Sequence, residues 1–227
     1  MTTKEFFNEL DSRIAKYDLL CHPFYKAWSA GELTRENLRD YARDYFHHVV
    51  EFPEYLQQFG SRVEDDQLRR VVFVNRDDEN GGVGSRPHAE LWLDFIEGMG
   101  GERAASETAL PEIAQLTDSF HAIAREGGPE EALAAFYAYE SQVPRVAKEK
   151  ARGLREMYGA DEKTCGYFTL HTTADVYHSR VWRHQLGKLV EKNPQAAEKA
   201  LNAGENAAKA LWNALDGIEA ARTAHAA

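Results

Sequence analysis

Residues 34–52, TRENLRDYARDYFHHVVEF, contain the clearest fold signal in the chain. Thr34 precedes an acidic first turn, which is typical of a helix N-cap and the residues that follow it. Apolar and aromatic side chains then recur every three or four positions, so they line one side of a helix. This stripe consists of Leu38, Tyr41, Tyr45, His48 and Phe52. The segment predicts a long helix, which we expect Pro53 to kink before the helix ends near Gly60.

The same helical spacing continues on both sides of this segment, and the sequence has no sustained alternation of the kind that strands show. Glycine and proline residues separate the helical stretches without a long linker or a shift in composition. We therefore expect an all-α fold, a single domain over residues 1–227 built as a bundle of seven or eight helices. Besides an aromatic turn at 22–28, the predicted helices cover residues 3–17, 34–60, 66–79, a stretch from 87, 111–125, 129–158 with an interruption at Pro144, 161–192, and an alanine-rich stretch after Pro194.

The composition excludes several classes of function. Acidic residues outnumber basic residues by 37 to 27, and the resulting net charge of -10 repels a nucleic-acid backbone. No apolar run approaches the roughly 20 residues that a membrane-spanning helix needs. The two cysteines, Cys21 and Cys165, form neither a C-x-x-C motif nor a disulfide-dense pattern. We expect an untargeted cytoplasmic protein with no nucleic-acid or membrane partner.

The segment from His171 to His178 has the pattern H-x-x-x-D-x-x-H. At about 100° per residue, offsets of four and seven place His171, Asp175 and His178 on one face of a helix. Two imidazoles and a carboxylate suit iron or manganese, and they leave coordination positions for other ligands and for oxygen. The spacing alone is also compatible with ordinary polar residues on a solvated helix face.

Glu140 follows an apolar and aromatic stretch at residues 134–139, where a carboxylate is expected to be buried and to need a partner. Pro144 cannot donate a hydrogen bond to the Glu140 carbonyl, so it should distort the helix at that turn. Distortions of this kind are frequent at functional sites. The structural alternative is an ion pair in the core with Arg145 or Lys148.

Glu79 and His88 flank the glycine-rich loop 80–86, where one ends a predicted helix and the other begins the next. Each alone has an ordinary explanation as a side chain at a helix terminus. Together with the other candidates they provide three carboxylates and three imidazoles, the kind of donor set that holds two metal ions between the helices of a bundle. The predicted ligands are Glu79, His88, Glu140, His171, Asp175 and His178.

Three stretches carry a resemblance to a known family: residues 24–34 (FYKAWSAGELT), 139–145 (YESQVPR) and 171–178 (HTTADVYH). On these motifs the chain resembles the heme-oxygenase-like dimetal oxidases of the TenA and PqqC-like superfamily, and within them the branch that supplies p-aminobenzoate for folate synthesis. The resemblance implies a heme-oxygenase-like bundle and the same six ligands, holding two iron ions or one iron and one manganese. It also implies O2 as co-substrate and a small-molecule reductant. Because the loop before His88 is longer than the family pattern, Asp78 is an alternative to Glu79.

The resemblance further implies catalytic roles that could not be inferred from the residues alone. Tyr25 would be the source of the aromatic ring, consumed by the protein itself, and Lys150 would donate the amino group. Radical transfer is implied for Tyr41, Tyr139 and Tyr167. Tyr167 lies four residues before His171, so helical geometry also places it on the metal-facing side. Without the resemblance, each tyrosine is equally compatible with core packing, and Lys150 with a solvated helix surface.

Three other functions stay open from the sequence. The same metal centre could oxidise an external small molecule over many turnovers. The chain could also resemble the pyrroloquinoline-quinone oxidase or the TenA thiaminases, which share the fold without a dimetal site, although the six candidate ligands argue against this. The non-enzymatic alternative is a protein-interaction module, which no exposed heptad or basic amphipathic patch supports. The number of subunits is open too, with a homodimer as one candidate.

Overall fold

The computed structural model describes residues 1–82 and 84–224 of the 227-residue chain. As predicted, the described residues form helices and no β-strand. Two 3₁₀ turns, at 19–21 and 194–196, accompany the α-helices. The α-helices are α1 (Thr3–Ala15), α2 (Pro23–Ala30), α3 (Arg35–Arg62), α4 (Asp66–Glu79), α5 (His88–Gly98), α6 (Pro111–Glu126), α7 (Pro129–Glu140), α8 (Val143–Glu156), α9 (Gly166–His171), α10 (Ala174–Lys192) and α11 (Ala197–Ala224).

The described residues thus contain eleven α-helices, more than the expected seven or eight. The first additional helix is α2, where we expected only an aromatic turn. Pro23 occupies its first turn, where no backbone N–H is needed, and Gly31 ends it with a left-handed φ of 74°. A start and a stop signal of this kind are sufficient for a helix of two turns.

Two long predicted helices are each divided, which gives the other two additional helices. The helix expected at 129–158 breaks at residues 141–142, just before Pro144, whose missing N–H prevents a continuous hydrogen-bond ladder. The helix expected at 161–192 breaks at residues 172–173. There the hydroxyls of Thr172 and Thr173 donate to the carbonyls of Thr169 and Leu170, each three residues back, at 2.7 and 3.2 Å, and such bonding competes with the helix.

The helix that begins after Thr34 is longer than predicted. The Thr34 hydroxyl accepts a hydrogen bond from the Asn37 N–H, and the Asn37 side chain accepts one from the Thr34 N–H, so the predicted cap is confirmed. α3 then continues through Pro53 to Arg62. Its buried stripe contains the predicted core residues, and it packs against α4, α5 and α6.

The C-terminal helix α11 closes the bundle by packing against α1, α6 and α7. Its buried face is rich in alanine and glycine, which lets the neighbouring helices come close. At Gly204 an added Cβ would lie 2.5 Å from Leu10 of α1, so the contact requires glycine. The core beneath these helices is strongly aromatic. No described helix is both long and apolar enough to cross a lipid bilayer.

Candidate metal centre

The six predicted ligands all lie at or near a helix end: Glu79, His88, Glu140, His171, Asp175 and His178. α4, α7 and α9 each end on one of them, α5 begins with one, and the first turns of α10 carry the remaining two. The helix face predicted from His171 to His178 is therefore formed by two helices and not by one. All six side chains are buried. Five helix termini thus bring the candidate ligands to one place in the core.

The six side chains form two groups that share Glu79. The first group is Glu79, His88 and His171, and the second is Glu79, Glu140, Asp175 and His178. Within each group, one ligand atom from every residue lies within 4.8 Å of the others. A carboxylate offers two oxygens, so Glu79 has one for each group. Carboxylates with imidazoles are a donor set that suits iron or manganese.

Unpaired buried atoms test whether metal ions fit these groups. His88 Nδ1, Asp175 Oδ1 and His178 Nδ1 are buried without a hydrogen-bond partner among the described residues. His88 Nδ1 lies only 2.7 Å from an oxygen of Glu79, but the angle is not that of a hydrogen bond. Buried polar atoms normally have partners, and cations held by the two groups would supply them. The residues therefore fit a pair of metal ions.

Outer contacts orient two of the imidazoles. His171 Nδ1 lies 2.7 Å from the carbonyl of Tyr167, so it donates there and leaves Nε2 with its lone pair. His178 Nε2 lies 3.4 Å from Asp78, which leaves Nδ1 facing the carboxylates. Such contacts fix the tautomer and direction of metal-binding histidines. Asp78 belongs to neither group and lies on their outer side, so the inward-facing carboxylate is Glu79.

Two residues that were not identified from the sequence hold Glu140 in place. The Asn75 amide donates to one carboxylate oxygen at 3.1 Å, and the Trp182 indole N–H donates to the other. Asn75 lies four residues before Glu79 on α4, and Trp182 lies four residues after His178 on α10. A spacing of one helical turn from a predicted ligand is the signal that would have identified both.

The structural alternative for Glu140 was an ion pair with Arg145 or Lys148. Arg145 instead pairs with Asp18 at 3.1 Å, and Lys148 is exposed. This alternative is therefore wrong. A fully buried carboxylate without either partner requires another source of positive charge, which is what a metal ion provides.

The pKa shifts of the buried carboxylates also indicate that positive charge is required beside them. Burial raises the pKa of Glu140 well above its usual range; His178 opposes this, while Asp175 and Glu79 add to it. Burial and the charge of Glu79 likewise raise the pKa of Asp175. Carboxylates this close in a buried site disfavour each other's charged form. Divalent cations between them would remove that penalty.

A second polar cluster lies in the core between α2, α3 and α8. Lys150 Nζ is 2.7 Å from the Tyr25 hydroxyl and also donates to the Tyr41 hydroxyl, and the two hydroxyls are 3.1 Å apart. All three side chains are buried, so the interpretation of Lys150 as a solvated lysine is wrong. Burial lowers the pKa of Lys150 well below its usual value and raises the pKa of both tyrosines. The cluster is a buried amine, whose charged form burial disfavours, beside two phenols.

Aromatic rings connect this cluster to the candidate metal ligands. The Tyr41 ring stacks on Tyr45, which stacks on Trp92, with centroids 5.5 and 5.6 Å apart. Trp92 contacts the Tyr167 ring at 4.7 Å, and Tyr167 stacks on His171 at 3.9 Å. Tyr45 and Trp92 were not assigned to this path from the sequence, where both are ordinary members of apolar helix stripes. Only the contact between α3 and α5 shows that they are neighbours.

Two small cavities lie between the clusters. One, of about 10 Å³, has Glu79, Glu140 and His171 on one side and Tyr139 and Tyr167 on the other. The second, of about 30 Å³, is lined by the same two tyrosines and by Tyr25 and Lys150. Tyr139 and Tyr167 thus separate the two spaces. A volume of ~10–15 Å³ holds about one water molecule, so the first cavity is no larger than a single water.

The fold places the chain among the heme-oxygenase-like proteins. One solved structure, from Shewanella denitrificans OS217, is described as a domain of unknown function with a heme oxygenase-like fold. It matches with a TM-score of 0.80 and covers 96% of this chain and 92% of its own. Because the sequences are only 17% identical, this likeness establishes the fold alone. The predicted fold class is confirmed.

The sequence comparisons establish the family. Residues 39–212 match the family model described as iron-containing redox enzyme. A protein from Nitrosomonas europaea named 4-aminobenzoate synthase is 38% identical, with 96% of this chain and 92% of that protein covered. A protein of the same name from Chlamydia trachomatis is 35% identical, with 93% and 90% covered. The chain therefore belongs to the iron-containing redox enzyme family and is an oxidoreductase.

Proposed function

We propose that this protein is a 4-aminobenzoate synthase that takes the aromatic ring of its product from its own Tyr25, and that the product serves folate synthesis. The names of the relatives support the product. The buried contact between Tyr25 and Lys150 supports the source of the ring and of the nitrogen. Both residues belong to this chain, so each molecule of the protein can supply one molecule of product.

The positions of the reacting atoms match this chemistry. In tyrosine the phenol oxygen is para to Cβ, and in 4-aminobenzoate the amino group is para to the carboxyl group. Exchange of that oxygen for the Lys150 nitrogen, with cleavage of the Lys150 Cε–Nζ bond, cleavage of the Tyr25 Cα–Cβ bond and oxidation of Cβ by O2 to the carboxyl carbon, therefore gives the product skeleton. Lys150 Nζ lies 2.7 Å from the Tyr25 oxygen and 4.3 Å from its ring centroid. Because burial favours the neutral form of Lys150, it makes the lone pair of Nζ more available to form a bond to carbon.

The buried carboxylates and imidazoles would hold two iron ions, or one iron and one manganese, with Glu79 shared between them. Iron is supported by the family description, and the second ion by the two ligand groups. Ions bound here would supply the activation of O2, with electrons from an external reductant. The chain's own contribution is to orient the ligands: Asn75 and Trp182 hold Glu140, and the Tyr167 carbonyl holds His171.

Tyrosine and tryptophan side chains would carry the oxidation from the metal centre to Tyr25. Tyr167 stacks on the ligand His171, and ring contacts continue from it to Tyr41. Burial raises the pKa of Tyr41, Tyr139 and Tyr167, so each stays protonated until an electron is removed. The hydrogen bond between the hydroxyls of Tyr41 and Tyr25 gives the released proton a path.

The lack of room for an external aromatic substrate is the observation that carries the proposal. The cavities beside the buried polar clusters measure about 10 and 30 Å³. Pockets that bind organic ligands measure roughly 300–1,000 Å³. An aromatic ring that reacts between the metal ligands and Lys150 must therefore already be part of the protein.

Product formation without any added aromatic compound tests the proposal. Protein loaded anaerobically with Fe(II), with or without Mn(II), reduced with dithionite, freed of the excess dithionite and then given O2 should release 4-aminobenzoate, at no more than one molecule per chain. Tyr25→Phe removes the phenol oxygen that is exchanged and should abolish the product. Tyr17→Phe, at a partly buried tyrosine outside both clusters, is the matched control and should retain it. An undiminished yield from Tyr25→Phe would exclude Tyr25 as the source.

A further inference from the structure

A surface groove of about 540 Å³ lies between α4 and α10. Its lining includes Asn75 and His178, so it extends from the solvent to the outer side of the candidate metal centre. Both side chains are buried and lie at its inner end. The volume falls within the roughly 300–1,000 Å³ that is usual for organic ligands. The groove is therefore large enough for a molecule that the inner cavities cannot hold.

The groove is basic although the protein is acidic. Arg70, Arg180, Lys188 and His184 line it, and none of its lining residues is Asp or Glu. The side chains of Arg180 and His184 form no hydrogen bond or ion pair with any described residue. Arg180, His184 and Lys188 lie four residues apart on α10, a basic stripe that was not recognised in the sequence, and Arg70 adds to it from α4. Their combined field attracts an anionic ligand.

The groove also has an apolar and aromatic wall. Val74 and Tyr177 line it and are 54% and 61% exposed, which is unusual for large hydrophobic side chains in this structure. An exposed tyrosine ring offers a flat surface on which another ring can stack. The Tyr177 ring lies 6.0 Å from the ring of His178, centroid to centroid. A planar ligand stacked on Tyr177 would therefore lie close to a candidate metal ligand.

We propose that this groove binds the external reductant, and that the reductant is a planar redox-active ring joined to a phosphate group. Reduced flavin nucleotides and reduced nicotinamide nucleotides share this chemistry. The ring packs against Tyr177 and Val74, and the phosphate pairs with Arg180 and Lys188. This inference rests on the proposed function, whose reaction consumes electrons from outside the protein.

Each reductant would supply two electrons to the protein, as the free cofactor does when it is oxidised. A dihydroflavin becomes a flavin by losing two electrons and two protons, and a dihydronicotinamide becomes a nicotinamide by losing two electrons and one proton. The electrons pass by way of His178 to the buried centre, and O2 is their final acceptor. The protons leave to the solvent, to which the groove is open.

Binding of FMN and of reduced nicotinamide mononucleotide to the full-length protein tests the site, with fluorescence as the readout for both. Riboflavin and reduced nicotinamide riboside are the matched ligands, which lack only the phosphate group. We expect each nucleotide that binds to do so roughly tenfold more tightly than its phosphate-free counterpart, and to bind more weakly at high salt. The combined Arg180→Glu and Lys188→Glu variant should lose this difference. The combined Lys199→Glu and Lys209→Glu variant on α11, which changes the net charge by the same amount away from the groove, is the control and should retain the difference.

Three results would overturn the inference. The first is that neither nucleotide binds, and the second is that the phosphate makes no difference to affinity. The third is a homodimer that dissociates in the charge-reversed variant, as measured by sedimentation velocity, because the groove would then be an interface between copies. Product formation by the unmodified protein with dithionite is scored separately. Product without nucleotide binding retains the proposed function and rejects this site, whereas phosphate-dependent binding without product retains the site and rejects the function.

Discussion

At the scale of single residues, Glu79 and Asp78 are adjacent in sequence but differ in environment. Glu79 is 7% exposed and belongs to both ligand groups, while the Asp78 side chain is 48% exposed and reaches only His178. Adjacent residues on an α-helix point about 100° apart, so only one of the two can face the centre. We infer that Glu79 is the shared ligand and that Asp78 is a positioning residue for the His178 ring.

Metal affinity distinguishes these two roles. Asp78→Asn keeps every ligand but weakens the contact that orients His178, so we expect metal affinity to fall by ~10–100-fold while saturating metal still fills the sites. Glu79→Gln removes a charged ligand from both groups and should leave both poorly occupied at any practical concentration. Metal content per chain after competition with a chelator measures both effects, and circular dichroism checks folding. An equal loss in the two variants would contradict the assignment.

Lys150 carries a stability signature that can be measured without any metal. Burial lowers its pKa well below the usual 10.5, so at a pH between the folded and unfolded pKa values the unfolded chain binds one more proton than the folded protein does. The stability that depends on Lys150 is therefore complete above pH 10.5 and falls as the pH decreases. Lys150→Met keeps a side chain of similar length and removes the amino group that binds the proton.

We expect the free energy of unfolding of the natural protein, relative to Lys150→Met, to rise with pH between pH 7 and 10. The slope should approach ~1.4 kcal/mol per pH unit, which is the value for the exchange of one proton. Urea denaturation of both proteins across this range gives the difference. A difference that does not change with pH would show that Lys150 is charged in the folded protein.

At the scale of helices, the signals that could be read from the sequence were local ones. The Thr34 cap, the stripe of α3 and the prolines at the starts of α6 and α7 act within one or two turns, and the structure has a helix at each of them. The breaks at 141–142 and 172–173 were harder to locate. The first was expected at Pro144 itself. The second coincides with Thr172 and Thr173, but threonine and serine hydroxyls make the same back-bonds inside the unbroken α6, so these side chains alone do not mark a break.

The parts of the candidate site that depend on residue type could be predicted from the sequence, whereas the parts that depend on packing between helices could not. Three carboxylates and three imidazoles were recognised from their residue type and sequence context, and the structure brings all six together. Lys150 lies among charged residues of α8, and its burial depends on α2 and α3, which no local pattern reveals. The same applies to the contact between Tyr45 and Trp92. Contacts between helices far apart in sequence require the tertiary structure.

The packing of α2 against α8 sets the distance between Tyr25 and Lys150, and Gly153 is the residue that allows it. An added Cβ at Gly153 would lie 2.8 Å from the Trp28 indole. We expect Gly153→Ala to push the helices apart, to destabilise the protein by about 1–3 kcal/mol and to lower the product yield severalfold.

Gly166→Ala is the matched control for this change. Gly166 begins α9, and an added Cβ there would lie 3.7 Å from Leu91, which is ordinary contact. Alanine also favours a helix over glycine, so stability and yield should be retained. Chemical denaturation and the yield from a single exposure to O2 are the measurements. If Gly153→Ala gave the same product yield as the natural protein, the spacing of α2 and α8 would not limit the reaction.

At the scale of the whole molecule, the bundle encloses two polar clusters in an aromatic core and leaves almost no space between them. α7 carries Tyr139 and Glu140, and α11 covers its outer side with small residues. The arrangement suits a reaction in which every participant except O2 and electrons is already in place. Under the proposed function each chain would complete a single turnover, since a ring taken from the protein could not be replaced.

Following isotopes from the protein into the product tests this central claim most directly. The protein is made with tyrosine labelled with carbon-13 in the ring and at Cβ, and with lysine labelled with nitrogen-15 at Nζ. It is then loaded with Fe(II) and exposed once to O2 and a reductant. We predict that mass spectrometry will find both labels in the released 4-aminobenzoate, and that the peptide containing residue 25 will have lost its tyrosine side chain in equal amount. Product with an unlabelled ring, or an intact Tyr25 in protein that has formed product, would contradict the claim.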